Sequence, residues 1–161
     1  MGFTVKHIRS ECRLGFLFPL SAMLLITIFR FGWKLGLIGA LAFMLCLVAH
    51  ECGHAAIAVI HGIRISAFGL CARGAYIRRE RAPAITELLI SSAGPAVHLL
   101  IAGLLGRYDG LLGWLAHINL VLFLVNILPV HGSDGKRIFA CIREIRARQL
   151  TSADLMTGDA R

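Results

Sequence analysis

The sequence predicts an all-α membrane protein of about four transmembrane helices. A small membrane-associated β element is expected between the second and third, and an amphipathic helix at the C-terminal end. Three observations carry that expectation. The 161 residues are 57% hydrophobic with a mean hydropathy of +0.75, well above ordinary soluble composition. The apolar residues gather into four long runs, at 14–31, 35–60, 85–106 and 111–130. Apart from Arg30 at the end of the first run, basic residues fall before, between and after those runs rather than within them. The formal charge of +8 therefore reads as attraction to anionic headgroups and as an orientation signal, not as nucleic-acid binding.

Residues 1–13 carry Lys6, Arg9 and Arg13 ahead of the first run. Arg30-Phe31-Gly32-Trp33-Lys34 follows it where a signal peptide would show a small-residue cleavage site, so a retained first helix is expected, kinked at Pro19. The second run, 35–60, carries most of the chemistry. From His61 to Pro83 partial alternation with glycine punctuation, Gly62 to Leu70 and Gly74 to Ile77, predicts short strands and a turn. The third run holds Ser91-Ser92-Ala93-Gly94-Pro95-Ala96-Val97-His98, where small residues allow close helix approach and Pro95 frees a backbone carbonyl. His98 is read first as a packed, hydrogen-bonded residue, and Glu87 as reaching headgroups. The fourth run holds His117, Asn119 and Asn126 and ends in a bend at Pro129-Val130-His131-Gly132-Ser133-Asp134-Gly135. Beyond it Ile138, Cys141, Ile142 and Ile145 recur at helical spacing opposite Arg137, Arg143 and Arg148, which predicts a basic amphipathic helix on the membrane surface. Residues 1–150 thus form one membrane-embedded domain, and 151–161 a flexible tail.

Fourteen of the 17 Lys and Arg lie before the first span, between spans two and three, or after span four. The positive-inside rule then puts both termini in the cytoplasm, of a bacterial cell by expectation. Five cysteines, with no C-x-x-C, indicate neither a disulfide framework nor a thiolate metal site.

Within the second run stands His50-Glu51-Cys52-Gly53-His54. Residues i and i+4 share a helix face, so the two histidines can offer nitrogens to one metal, with Glu51 beside them as a candidate general base. Cys52, about 200° round from His50, points away. Ionisable groups inside an apolar span are costly, which favours a functional reading. A catalytic zinc takes a third protein ligand. Asp134 is the best placed, as the acidic residue in the glycine-bent turn beside a span on the inner side; its competing role is to cap the following helix.

The H-E-x-x-H motif in a membrane helix, Ala93-Gly94-Pro95 with a polar residue at 98, and Asn126-x-Leu128-Pro129 followed by Asp134-Gly135 together resemble the site-2 protease family of intramembrane zinc metalloproteases. The likeness covers roughly residues 45–140, in family order. It implies that His50, His54 and Asp134 bind Zn2+, that Glu51 is catalytic, and that the 63–77 region forms a small sheet near the substrate path. Asn126, His98, Gly94 and Pro95 would position substrate. The chain departs from the family pattern at His98, where asparagine is usual, and at His131 and Ser133, where proline and leucine are usual. The connection 61–84 is too short for a PDZ domain, and no nucleotide-sensing domain follows, so a near-minimal catalytic core is expected. Its function would be intramembrane proteolysis of membrane-spanning proteins, with the site toward the cytoplasmic leaflet. A homo-oligomer or regulatory membrane partner is compatible with this. The alternative is a non-proteolytic metal-binding membrane protein or pseudoprotease adaptor, which would have no use for Glu51.

Overall fold

The computed structural model describes residues 9–12, 17–71 and 74–158. In chain order they form β1 (Arg9–Cys12), α1 (Leu17–Ile60), β2 (Ile65–Cys71), β3 (Gly74–Arg79), α2 (Ala84–Leu105), α3 (Gly110–Ile127) and α4 (Asp134–Gly158).

Helix α1 is two helices folded back on one another. Gly32 leaves the helical region at φ 79°, ψ 169°, a conformation open to a residue without Cβ. The Thr27 hydroxyl reaches the Gly36 carbonyl, nine residues on, at 2.7 Å; an unbroken helix would separate them by about 13 Å along its axis. A Cβ on Gly36 would lie 2.6 Å from the Ile28 backbone, so this glycine lets the two arms touch. The break stands at Gly32 rather than as a kink at Pro19, which falls in the first helical turn, where its missing N–H is not needed.

Three stretches are long and apolar enough to cross a membrane: Leu20–Ile60, Ala84–Leu105 and Gly110–Ile127. Since the first is folded at Gly32, its two arms correspond to the expected first and second spans. The arm before Gly32 is only about 22 Å long.

The sheet has the order β1-β2-β3, with β1 parallel to β2 and β2 antiparallel to β3. The β2–β3 hairpin lies where glycine punctuation predicts it. Strand β1 was not expected: its residues read as a basic approach to the first span, and their pairing with Ala67 to Leu70 leaves no local signal. This pairing brings Arg9–Cys12 to the same end of the bundle as the 61–83 connection. At the opposite end Phe31 meets Trp114 edge-on, 5.8 Å between centroids.

Helix α2 packs against α1, α3 and α4 and is the centre of the bundle. The interior around it mixes apolar groups such as Phe43 and Leu115 with an unusual number of polar ones. Thr27, His50, His54, Ser91, His98, Asn119 and Asp134 are buried, while large apolar side chains face outward, Phe29 at 96% exposure. Lipid reverses the usual preference in this way, because only the interior offers partners to polar groups. Helix α4 lays Ile138 and Cys141 against the bundle and runs to Gly158. It thus passes the point, 151, where the sequence reading begins a flexible tail.

Candidate metal centre

The second arm of α1 is apolar nearly all round, so its polar face is its only marked face. On it His50 and His54 stand one turn apart, both buried, and Cys52 is exposed on the other side. The His54 Nδ1 lies 2.6 Å from the Ile90 carbonyl. A carbonyl only accepts, so Nδ1 carries the proton and Nε2 of the neutral ring presents a lone pair. That Nε2 is 3.0 Å from His50 Nε2 and 3.2 Å from Asp134 Oδ2. The third side, His50 Nε2 to Asp134 Oδ2, is 3.1 Å.

With the His54 ring neutral, its Nε2 and the Asp134 carboxylate turn electron pairs toward each other, an arrangement that a shared cation relieves. Zinc held tetrahedrally by nitrogen and oxygen donors at about 2.0–2.2 Å would set neighbouring donors about 3.3–3.6 Å apart. The observed triangle agrees within a few tenths of an ångström, and its atoms are of the type zinc prefers, so the residues fit the ion. Burial alone would raise the Asp134 carboxyl, but the adjacent imidazoles outweigh it and hold the group well below the usual carboxylate range. It is an anionic donor at neutral pH.

Asp134 reaches this position because another residue does the capping. The Lys136 backbone N–H donates to Ser133 Oγ at 3.2 Å, three residues back, as an N-cap requires. Ser133, one of the departures from the family pattern, therefore starts α4 and leaves the Asp134 carboxylate for the histidines. A Cβ on Gly135 would fall 2.1 Å from the Ile127 carbonyl oxygen, so glycine lets α4 begin directly under the end of α3.

Gly94 has a similar reason. A Cβ there would lie 2.3 Å from His54 Nε2 and 2.6 Å from His50 Nε2, so α2 offers bare backbone to the donor triangle. Pro95, also buried, follows it and withdraws one backbone N–H from the helix.

The triangle opens on a cavity of about 290 Å³. Glu51 lines it, with a carboxylate oxygen within 4.8 Å of donor nitrogens of both histidines. Asn126 lines it too, donating one N–H to the Leu122 carbonyl at 2.9 Å. Opposite, Ala75, Tyr76, Ile77 and Arg79 of β3 form a wall, and β3 is an edge of the sheet among the described residues. Of the residues that the sequence proposes for the site, His50, Glu51, His54, His98, Asn126 and Asp134 line this cavity; Gly94 abuts the two histidines from α2, and Pro95 beside it is outside the lining.

His98 is fully buried and its ring lies 4.6 Å from that of His50, tilted by 33°. Its Nδ1 is 2.8 Å from Asn119 Oδ1. The Asn119 amide nitrogen donates to the Leu115 carbonyl at 2.9 Å and to Cys46 Sγ at 3.3 Å, which fixes the amide so that Oδ1 must accept from His98. His98 Nε2 is then an acceptor, and it has no protein partner. Sequence reading noted Asn119 without giving it a role; its signal was a polar residue in an apolar span. Glu87 was expected at the headgroups but instead holds Arg79 in a two-pronged ion pair, 2.7 and 2.8 Å. That pair ties β3 to the start of α2.

No protein-family model matches the chain. It is 34% identical over 122 residues to a protein of Synechocystis sp. provisionally named zinc metalloprotease sll0528, covering 68% of this chain and 32% of that one. It is 30% identical over 125 residues to a Mycobacterium tuberculosis protein provisionally named zinc metalloprotease Rip3, covering 66% and 31%. The chain thus spans about a third of the length of these curated relatives. Its fold superposes on the site-2 protease from Methanocaldococcus jannaschii with a TM-score of 0.69 and 27% identity, over 87% of this chain and 69% of that one. With the motifs in family order around one buried centre, the chain belongs to the site-2 protease family.

Proposed function

We propose that the protein is a zinc-dependent intramembrane protease that hydrolyses peptide bonds of membrane-spanning proteins. The observation that carries this is the donor triangle of His50, His54 and Asp134 with Glu51 beside it, facing a cavity walled by an edge strand. Zinc at such a site supplies a Lewis acid that polarises a carbonyl and makes water acidic near neutral pH. The rest is done by the chain's own groups. His50, His54 and Asp134 hold the ion, and the Ile90 carbonyl keeps His54 in the tautomer that leaves Nε2 available. Glu51 takes a proton from the attacking water and gives it to the leaving amine.

A helical substrate hides its carbonyls in internal hydrogen bonds and must be drawn out before attack. The outer edge of β3 can hold it extended by strand pairing. Asn126 can turn its remaining N–H toward the carbonyl oxygen, while His98, buried beside the His50 ring, supports the cavity wall behind it. Charge distribution supports a cytoplasmic sheet end, with the site about 15 Å or less from the end of α1.

The test compares wild type, Glu51→Gln and Asp134→Asn for cleavage of a membrane-spanning reporter and for zinc content. Glu51→Gln is expected to keep zinc and lose cleavage by at least about 100-fold; Asp134→Asn is expected to lose both. Cleavage by Glu51→Gln at the wild-type rate would end the protease reading in favour of a metal-binding or adaptor role.

A further inference from the structure

A second cavity, of about 810 Å³, opens between the end of β3 and helix α4. It is continuous with the first: Ile77, Arg79 and Arg137 line both. Five arginines line it against three glutamates. The excess of positive charge is carried where pairing is weakest. Arg79 is held by Glu87, whereas the exposed Arg81 and Arg137 form no ion pair among the described residues. We propose that this groove binds an acidic flank of the substrate, on the sheet side of the bond that is cut. The proposal rests on the protease reading and adds a substrate class to it.

Strand geometry supplies the register. Ala75, Tyr76 and Ile77 line the cavity onto which the metal centre opens, and the same strand continues through Arg78 and Arg79 to the groove. An extended substrate paired along β3 advances by about 3.3 Å per residue, so side chains about three to five positions from the cut bond reach Arg81 and Arg137. Acidic side chains there meet an unneutralised positive surface; lysines meet repulsion. An apolar helix end would leave the groove's charges unanswered.

The experiment uses the full chain carrying Glu51→Gln in bilayers of zwitterionic lipid. Two labelled peptides share one membrane-spanning segment and differ only in having Asp or Lys at the third to fifth positions on the sheet side. The acidic peptide is expected to bind about 3- to 10-fold more tightly, as a few exposed charge pairs provide, with the difference shrinking as salt is added. Arg81→Glu alone, at an exposed position, should reduce the preference, and Arg81→Glu with Arg137→Glu should reverse it. Equal affinity for the two peptides overturns the proposal, as does a preference that survives the double charge reversal. Titration with phosphatidylglycerol vesicles supplies another arm: if the double variant loses affinity for that lipid while the flank has no effect, the groove takes headgroups and the proposal is wrong. Failure of the protease reading is seen separately, as wild type that cleaves neither peptide while flank-dependent binding persists.

Discussion

Gly94→Ala puts the candidate centre under the sharpest geometric stress. The added methyl would stand 2.3 Å from His54 Nε2, 2.5 Å from His54 Cε1 and 2.6 Å from His50 Nε2. Comfortable contact begins at about 3.5 Å, so roughly 1 Å must be found. The His54 ring has little freedom to provide it, since its Nδ1 is bonded to Ile90 on the same helix as Gly94. Withdrawing α2 stretches that bond, and turning either imidazole opens the donor triangle. Overpacking of this kind costs about 1–3 kcal/mol, and here it falls on the metal site. Since about 1.4 kcal/mol is tenfold in a binding constant, zinc affinity should drop about 10- to 100-fold. Gly103→Ala is the matched control: it lies on the same helix with nothing within 4 Å of its Cβ position, and it should be neutral or gain about 0.5–1 kcal/mol. Competition with a chromophoric chelator in detergent micelles, alongside reporter cleavage, measures both. Wild-type zinc affinity in Gly94→Ala would refute the placement of α2 against the donors.

Three further outcomes are expected. Ser133→Ala should lower stability by about 1 kcal/mol through loss of the α4 cap and weaken zinc binding, with Ser133→Asn restoring both; a chelator competition and a melting curve check this. Asn119→Leu should leave zinc content unchanged, because His98 lies outside the triangle, while kcat falls about tenfold as His98 loses its fixed tautomer; loss of zinc instead would make the pair a support of the metal centre. Arg79→Gln should cost about 2–4 kcal/mol by stranding Glu87 in a largely enclosed site, and the double variant with Glu87→Gln should recover part of it, as a double-mutant cycle on thermal unfolding would show.

How much of this was legible beforehand depended on the kind of signal each residue leaves. In water, a helix declares its inner face by its apolar positions. The spans here are apolar nearly all round, so that periodicity is almost silent, and the polar residues are what mark the interior. His50 and His54 were legible for that reason, and so was the bend that returns Asp134. Partnerships between distant segments were not. Nothing near Arg9 to Cys12 announces a pairing with β2, and nothing near Glu87 announces Arg79. The capping of α4 was ambiguous for a different reason: Ser133 and Asp134 are adjacent and both cap well, and only the Lys136 bond to Ser133 separates their roles. Asn119 obeys the rule that identified the histidines, a polar side chain amid apolar ones and completely buried. The same rule, applied consistently, finds Asn119 as well, and its 2.8 Å bond to His98 joins it to the buried polar cluster whose other members are the two histidines of the motif.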